Sequence, residues 1–276
     1  MKKDSVNNQA LQQLEKILAK EVHSFSAEQD QLNNALRLLS KWRSVLIQNT
    51  LLREQGTKVM QGPLSGLDFL NESAEGCHIA KLLGCYEQPL QPFIELAINK
   101  KYSQILNVGC AEGYYAVGLA MRMPSTKVMA YDINLNAQRV CSELAKKNSV
   151  SDRVLISGLF TLDNLTSLDA SSTLILCDIE GAEKELLDPQ KSSALKFVDI
   201  IVESHECLIP GVTQLLINRF NESHEISLVR DNGQRSLETP PQWFTNLAHL
   251  DQLLATWEWR SGPTPWLVMN SKHPIV

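Results

Sequence analysis

The stretch Gln104-Ile-Leu-Asn-Val-Gly-Cys-Ala-Glu-Gly113 decides the fold, because its apolar run stops at one glycine and turns under another. A buried strand that ends at Gly109 and enters a helix after Gly113 is expected to leave free backbone N–H groups at the strand's C-terminal edge. The next apolar run, Val128-Met-Ala-Tyr-Asp132, ends in an acid that can accept from both hydroxyls of a ribose. Together the two runs predict a site for a cofactor that contains a nucleoside.

Length and composition limit the function classes. The 276 residues, 43% of them hydrophobic, suit one large domain with an appendage. A net charge of -5 with scattered basic residues argues against a nucleic-acid partner. No apolar run reaches the ~18 residues of a membrane span, and no signal-peptide core opens the chain. Six widely spaced cysteines are expected to be small buried hydrophobes in a reducing compartment. We therefore expect a cytoplasmic protein without a membrane partner.

The first 60 residues differ in texture from the rest. Residues 6–50 contain no Gly or Pro and carry leucines at helical spacing, which predicts two helices with Ser24 or Ser26 capping the second. We place an N-terminal helical extension at residues 1–60 and a cofactor-binding domain at residues 61–276. The extension is either a dimerisation arm or lid, or a helical pair that covers one edge of the sheet.

Strands and helices alternate through the second region, which predicts an α/β fold with a Rossmann-like, doubly wound, mostly parallel sheet. The last two apolar runs could form a closing antiparallel pair. The predicted strands are 104–108, 127–131, 153–157, 173–177, 198–202, 224–230 and 266–270, and the predicted helices are 89–100, 114–123 and 136–147.

The glycine turn departs from the dinucleotide fingerprint G-x-G-x-x-G, because Ala111 stands where the middle glycine approaches a pyrophosphate. This counts against NAD without excluding it. A cofactor without a pyrophosphate asks only that Gly109 and Gly113 leave room for an amino-acid tail and a ribose. A purely structural turn is the competing interpretation, because glycine turns after strands are common in α/β proteins.

Acids follow the fourth predicted strand in Asp178-Ile-Glu180-Gly-Ala-Glu183. At this edge a carboxylate could hold the amino group of a cofactor, bind a metal or accept a substrate proton. Alternatively, Glu180 and Glu183 occupy the first turn of a helix, where the dipole favours negative charge.

The fifth predicted strand ends in Glu203-Ser-His205. Because the ordinary pKa of histidine lies near neutrality, His205 is our first candidate for a general base that takes a hydroxyl proton. Asp178, Glu203 and His205 could also ligate a divalent metal if they converge. We favour the site without a metal.

In this order the motifs resemble those of class I S-adenosylmethionine-dependent methyltransferases, and the block from Asp178 to Glu183 is similar to that of the FkbM-type branch. The resemblance covers roughly Gly62 to Asn270. It implies a seven-stranded sheet whose last strand is antiparallel, S-adenosyl-L-methionine as the cofactor, and usually O-methylation of a hydroxyl on a sugar, polyketide or similar metabolite.

Carried over by position, the resemblance places the residues from Gly109 to Gly113 along the methionine part, Asp132 at the ribose and Asp178 at the sulfonium. The chain departs from the class at Asn107, where an acid is often found, and after the third strand, where an acid that contacts adenine is missing. The cofactor-binding set predicted in this way is Glu87, Gly109, Cys110, Ala111, Glu112, Gly113, Asp132, Ile133, Gly158 and Asp178.

The sequence therefore predicts a methyltransferase that acts on a hydroxyl of a small molecule or a glycan, with His205, Asp178 and Glu180 as the catalytic set. N-methylation, an NAD-dependent oxidoreductase and a non-catalytic binding protein are the alternatives. The oxidoreductase lacks support because no Tyr-x-x-x-Lys pair stands in a suitable place. Homodimerisation through the N-terminal helices is a further expectation.

Overall fold

A seven-stranded sheet forms the centre of the protein, and the computed structural model describes residues 3–71, 77–165 and 172–273 of the chain. The strands are β1 Gln104–Val108, β2 Lys127–Tyr131, β3 Val154–Ser157, β4 Thr173–Cys177, β5 Asp199–Glu203, β6 His224–Val229 and β7 Trp266–Ser271. Their order is β3-β2-β1-β4-β5-β7-β6, with β1 to β5 parallel and β7 antiparallel to both of its neighbours. The predicted fold class, with its antiparallel last strand, is confirmed.

Helices precede the sheet and connect its strands. They are α1 Lys3–Leu18, α2 Phe25–Gln55, α3 His78–Leu83, α4 Gln91–Lys100, α5 Tyr114–Arg122, α6 Leu135–Lys147, α7 Glu183–Leu186, α8 Val212–Phe220, α9 Gln242–Thr245 and α10 His249–Thr256. One predicted helix was too long: residues 89–100 divide into a 3-10 turn and α4. Pro92 stands in the first turn of α4, where a proline loses no intrahelical hydrogen bond.

Both faces of the sheet are buried, and the alternation of side chains decides which groups share a face. Ile105, Leu176 and Ile201 pack in one apolar layer, whereas Leu106 and the other alternate positions pack in a second layer. Asn107 lies two residues after Ile105 and therefore faces the first layer. By the same period of two, Asp178 follows Leu176 and Glu203 follows Ile201 on that face. The alternation thus gathers three polar groups at one edge.

The two N-terminal helices differ in how closely they pack against the core. Ser24 caps α2 as predicted, because its hydroxyl accepts from the N–H of Ala27. Ile47 and Leu51 of α2 are buried in the first apolar layer. Leu11 of α1, by contrast, is 56% exposed. The end of α2 thus packs into the main core. The proposed domain boundary at residue 60 stays a prediction.

The cysteines and the helix lengths bear on two further expectations. Five cysteines are buried as predicted, but the prediction is wrong for Cys207, which is exposed in the loop after β5. Within the described ranges, no helix combines the length and the apolar character that crossing a membrane would require.

Candidate functional site

A cavity of about 370 Å³ opens at the carboxyl ends of β1, β4 and β5. This is the edge at which open α/β sheets bind ligands. Its walls come from the glycine turn, the segment after β4, the end of β5, Tyr86, helix α2 and the segment before β7. Asn107 also lines it, and the Oδ1 atom of this residue is buried without a hydrogen-bond partner in the described structure.

The glycine turn binds its own neighbours. The N–H groups of Gly109 and Cys110 both donate to the carbonyl of Tyr131, at 2.9 Å each. The N–H of Ala111 donates to Asp132 Oδ2 at 2.9 Å. The expectation that this turn leaves free N–H groups is wrong for these three residues, because Ala111 adopts a left-handed φ of 45° and the chain folds back toward β2.

The two glycines make room for protein atoms. A Cβ on Gly109, whose φ is +78°, would lie 1.7 Å from the carbonyl oxygen of Asp178. A Cβ on Gly113, whose φ is +93°, would lie 2.6 Å from Cys141 Sγ. The first glycine therefore permits the close approach of the chain beyond β4, and the second permits the packing of α6. Space for a ligand beside these glycines stays a prediction.

The structure brings part of the predicted cofactor set to the cavity. The residues that line it are Gly109, Cys110, Ala111, Glu112 and Asp178. Glu112 is fully buried and forms an ion pair with Lys81 of α3. The role of these residues in cofactor binding stays a prediction.

The remaining members lie outside the cavity lining. Asp132 accepts from the N–H groups of Ala111 and Asn134, at 2.9 and 2.8 Å. Ile133 is 78% exposed just after β2, and Gly158 follows β3. Beside Gly158, Leu159 is 70% exposed, so apolar surface flanks the ends of β2 and β3.

His205 lies at the centre of the acidic end of the cavity. Its backbone N–H donates to Glu183 Oε1 at 2.8 Å, and its Nδ1 lies 3.2 Å from the same oxygen. Glu183 is fully buried, so it fixes the ring and favours the tautomer with a proton on Nδ1. Nε2 then faces a ring of three carboxylates. Its distances are 3.4 Å to Asp178 Oδ1 and 3.5 Å to both Glu180 Oε2 and Glu203 Oε2.

The register of the strands explains this convergence. Cys177 of β4 pairs with Val202 of β5, so the next residues, Asp178 and Glu203, lie side by side. Burial raises the pKa of Asp178 well above its usual value, and the charges of Glu203 and Glu87 add to the effect. Burial alone would lower the pKa of His205, but the hydrogen bond to Glu183 and the surrounding carboxylates raise it above the usual value.

The three catalytic candidates therefore meet at one point. Glu180 has a φ of 52° and a side chain that is 76% exposed, so it approaches His205 from the solvent side. One ligand atom each from Asp178, Glu203 and His205 lies within 4.8 Å of the others. The convergence that a metal site requires is present, and the preference for a metal-free site stays a prediction.

Arg260 is the principal residue that sequence reasoning missed. Its guanidinium donates to Glu203 Oε1 and, at 2.9 Å, to Glu87 Oε1. Its Nε lies 3.1 Å from Glu258 Oε2. Glu87 also accepts from the hydroxyl of Tyr115 at 2.5 Å. Glu87, predicted to touch the cofactor, thus holds Arg260 in place, and Arg260 neutralises part of the acidic end.

Burial and the charge of Glu203 raise the pKa of Glu87 to about 7, although Arg260 opposes the shift. Burial alone would lower the pKa of Arg260, but the nearby carboxylates raise it. The run Trp257-Glu-Trp-Arg260, with charges between aromatic residues just before the last strand, was the signal that could have drawn attention to this segment.

Comparisons with known proteins found similarity over parts of the chain. No protein-family model matches the chain. A bifunctional methyltransferase of Rickettsia felis is 36% identical over 67 residues, which is 24% of this chain and 13% of that protein. The chain therefore matches only a small part of that relative's length.

Two solved structures are similar to part of this chain. An O-methyltransferase from Bacillus cereus in complex with S-adenosylhomocysteine is 15% identical, with a TM-score of 0.41 and coverage of 64% of this chain and 78% of that one. The O-methyltransferase TomG from Streptomyces achromogenes, in complex with S-adenosylmethionine, is 14% identical, with a TM-score of 0.42 and coverage of 64% and 77%.

Proposed function

We propose that this protein is an S-adenosylmethionine-dependent methyltransferase that methylates a hydroxyl group of a small molecule or a glycan. One observation carries the proposal: His205 Nε2 lies 3.4 to 3.5 Å from three carboxylates, in a cavity at the C-terminal edge of the sheet. This end of the cavity is rich in acceptors, and one candidate base is held in a defined tautomer. A cationic reagent and a hydroxyl nucleophile suit such a site.

The chain's residues fit that cofactor better than they fit NAD. The carboxylates of Asp178, Glu180 and Glu203 would attract a positively charged sulfonium and repel a pyrophosphate. The buried, unpartnered Oδ1 of Asn107 offers an acceptor to an amino group. The exposed apolar side chains of Ile133 and Leu159 are suited to contact an adenine ring.

The cofactor supplies a methyl group activated on a positively charged sulfur. The protein has to orient the substrate hydroxyl, exclude water and take up one proton. Glu183 holds the Nδ1 proton of His205, which leaves Nε2 free to accept the hydroxyl proton as the oxygen–carbon bond forms and the carbon–sulfur bond breaks. The imidazolium that results is stabilised by Asp178, Glu180 and Glu203. Asp178 is the second candidate for the base.

N-methylation is the alternative that the same site allows, since an amine that arrives neutral needs no strong base. Two finer points belong to the proposal: the FkbM-type branch, which rests on the block from Asp178 to Glu183, and a cytoplasmic location, which rests on the buried cysteines.

A homodimer through the N-terminal helices is also proposed. Leu32 and Leu36 of α2 are 64% and 66% exposed, and Leu11 of α1 adds to the apolar surface. Light scattering should give the mass of a dimer, and the double variant Leu32→Ser, Leu36→Ser should give that of a monomer. A wild-type monomer would contradict the dimer.

The experiment for the activity uses S-adenosylmethionine with a labelled methyl group and a fraction of small metabolites and oligosaccharides. We expect label on an oxygen of one acceptor, located by mass spectrometry, and roughly 100-fold slower labelling with the His205→Ala variant. Label on nitrogen would move the assignment to N-methylation. Turnover should be equal in EDTA and in Mg²⁺; a loss in EDTA that Mg²⁺ restores would contradict the metal-free site.

A further inference from the structure

The outer wall of the cavity carries hydrogen-bond donors, unlike its acidic end. Two cavity-lining residues of this wall, Arg37 and Lys41, come from α2. They stand four residues apart and therefore lie on the same face of the helix. That face contacts the segment from Trp257 to Ser261. The part of this segment from Glu258 to Ser261 also lines the cavity.

Arg37 binds this segment tightly. Its guanidinium donates to the carbonyl oxygens of Trp259 and Arg260, at 2.5 and 3.2 Å, and to Ser261 Oγ at 2.9 Å. Trp259 has a φ of 65°, a left-handed conformation that a bulky residue adopts only when its surroundings impose it. The hydrogen bonds from Arg37 help to impose this conformation. Trp259 is therefore held in one position at the cavity wall.

Among the described residues, Lys41 has no negatively charged partner. Its Nζ lies 5.0 Å from the centre of the Trp259 ring, and it forms no ion pair in the part of the chain that the structure describes. Burial, together with the charge of Arg37, lowers the pKa of Lys41. An anion beside it would relieve the repulsion between the two cations.

Trp259 also lines the cavity, and it carries a donor without a partner. Its indole Nε1 is buried and has no hydrogen-bond partner among the described residues. An indole N–H can only donate, and leaving a buried donor unsatisfied destabilises the structure. In the described structure, Lys41 and Trp259 therefore each carry a donor without an acceptor, and Arg37 adds a second positive charge beside them.

We propose that Lys41, Trp259 and Arg37 form a subsite for an oxyanion, a carboxylate or phosphate group. The carboxylates around His205 would repel such a group, so an acidic part of a ligand is directed to this wall. The proposal rests on the proposed function only for its occupant: the acidic group belongs either to the methyl acceptor or to the methionine part of the cofactor. The helical extension would then take part directly in ligand recognition.

Inorganic phosphate tests the subsite without any cofactor. The full chain is labelled with ¹⁵N-tryptophan, and phosphate is titrated at an ionic strength held constant with chloride. The Trp259 indole resonance is assigned with Trp259→Phe or, should that variant not fold, by elimination with Phe variants of the other tryptophans. We expect a saturable shift of this resonance and at least a tenfold weaker affinity in Lys41→Gln, whereas Lys16→Gln, on the exposed helix α1, matches the wild type. No saturable shift, or an equal affinity in Lys41→Gln, would overturn the proposal.

Two nucleosides then identify the source of the oxyanion. S-adenosylhomocysteine carries the amino-acid carboxylate, and 5′-methylthioadenosine lacks it. If the first displaces phosphate and the second does not, the subsite holds the cofactor's carboxylate. If both bind beside phosphate, the subsite holds an acidic group of the methyl acceptor. Each of these results supports the subsite. A phosphate shift without binding of either nucleoside would leave the subsite in place and contradict the proposed methyltransferase.

Discussion

The two halves of the sheet's C-terminal edge are built from different parts of the chain. In the β1–β2 half, backbone groups make most of the contacts: Gly109 and Cys110 bind the Tyr131 carbonyl, and Asp132 binds the turn. In the β4–β5 half, side chains do so, with His205 among three carboxylates and Arg260 behind them.

Because of this difference, we expect substitutions to have different effects in the two halves. A backbone turn that is packed against its neighbours depends on the absence of side-chain atoms, so substitutions there should change stability and cofactor affinity. A cluster of charged side chains depends on protonation, so substitutions there should change turnover and its dependence on pH.

The largest effect is expected at Gly109. A Cβ there would lie 1.7 Å from the Asp178 carbonyl, so Gly109→Ala should lower the free energy of unfolding by more than about 3 kcal/mol, as measured by urea denaturation. Gly233→Ala is the matched control, because Gly233 has a similar φ of +70° but nothing within 4 Å. It should lose only about 1 to 2 kcal/mol, the cost of the left-handed conformation. Equal losses would mean that the close approach is unimportant.

The β4–β5 half is tested by His205→Ala. Loss of a general base should lower turnover by roughly 100-fold or more and leave the affinity for S-adenosylhomocysteine within about twofold. His249→Ala, at an exposed histidine of α10, serves as the control. If His205→Ala turned over at the wild-type rate, His205 would not be the base, and the proton would go to Asp178 or to water.

The β1–β2 half is tested by Asp132→Ala. This variant should bind S-adenosylhomocysteine more weakly by about 1.5 to 3 kcal/mol, the range for lost charge-assisted hydrogen bonds. Since Asp132 also binds the N–H of Ala111, the ribose contribution is isolated with the 2′,3′-dideoxy analogue. Wild type and variant should bind that analogue with nearly equal affinity. Unchanged affinity for the parent nucleoside in a folded variant would remove the ribose assignment.

A smaller effect concerns pH. His205 accepts a proton only when neutral, so turnover should rise with pH through its pKa, which lies above the ordinary value of about 6.5. Glu183→Gln removes the charge that helps to raise this pKa, so the midpoint of the pH–rate profile should move to lower pH. A midpoint that does not move would show that Glu183 does not act through His205.

The smallest effect is the pH dependence of stability due to Glu87, whose pKa is about 7 in the folded protein. Because this exceeds the unfolded value of about 4.3, the stability that the protonated group contributes is present below about pH 4 and is lost as the pH rises through about 7. The unfolding free energy of wild type should therefore fall over this interval relative to that of Glu87→Gln. Parallel pH profiles would contradict the assignment.

Local pattern was enough to predict the β1–β2 half, because a strand, two glycines and an acid follow one another within 30 residues. It also predicted that Asp178 and His205 end neighbouring strands. Their convergence with Glu183 depends on register, and the partners Arg260, Trp259 and Lys41 come from segments more than 50 residues away. Such contacts are tertiary, and no local periodicity encodes them. The expectation of free N–H groups at the turn was wrong for the same reason, since their acceptors are Tyr131 at the end of β2 and Asp132 just after it.

Calorimetry with S-adenosylmethionine, S-adenosylhomocysteine and NAD in parallel tests the central claim most directly. We predict that both sulfur nucleosides bind at one site per chain, and that NAD gives no saturable heat because its pyrophosphate would face Asp178, Glu180 and Glu203. Saturable binding of NAD, or no binding of S-adenosylhomocysteine, would contradict the methyltransferase assignment.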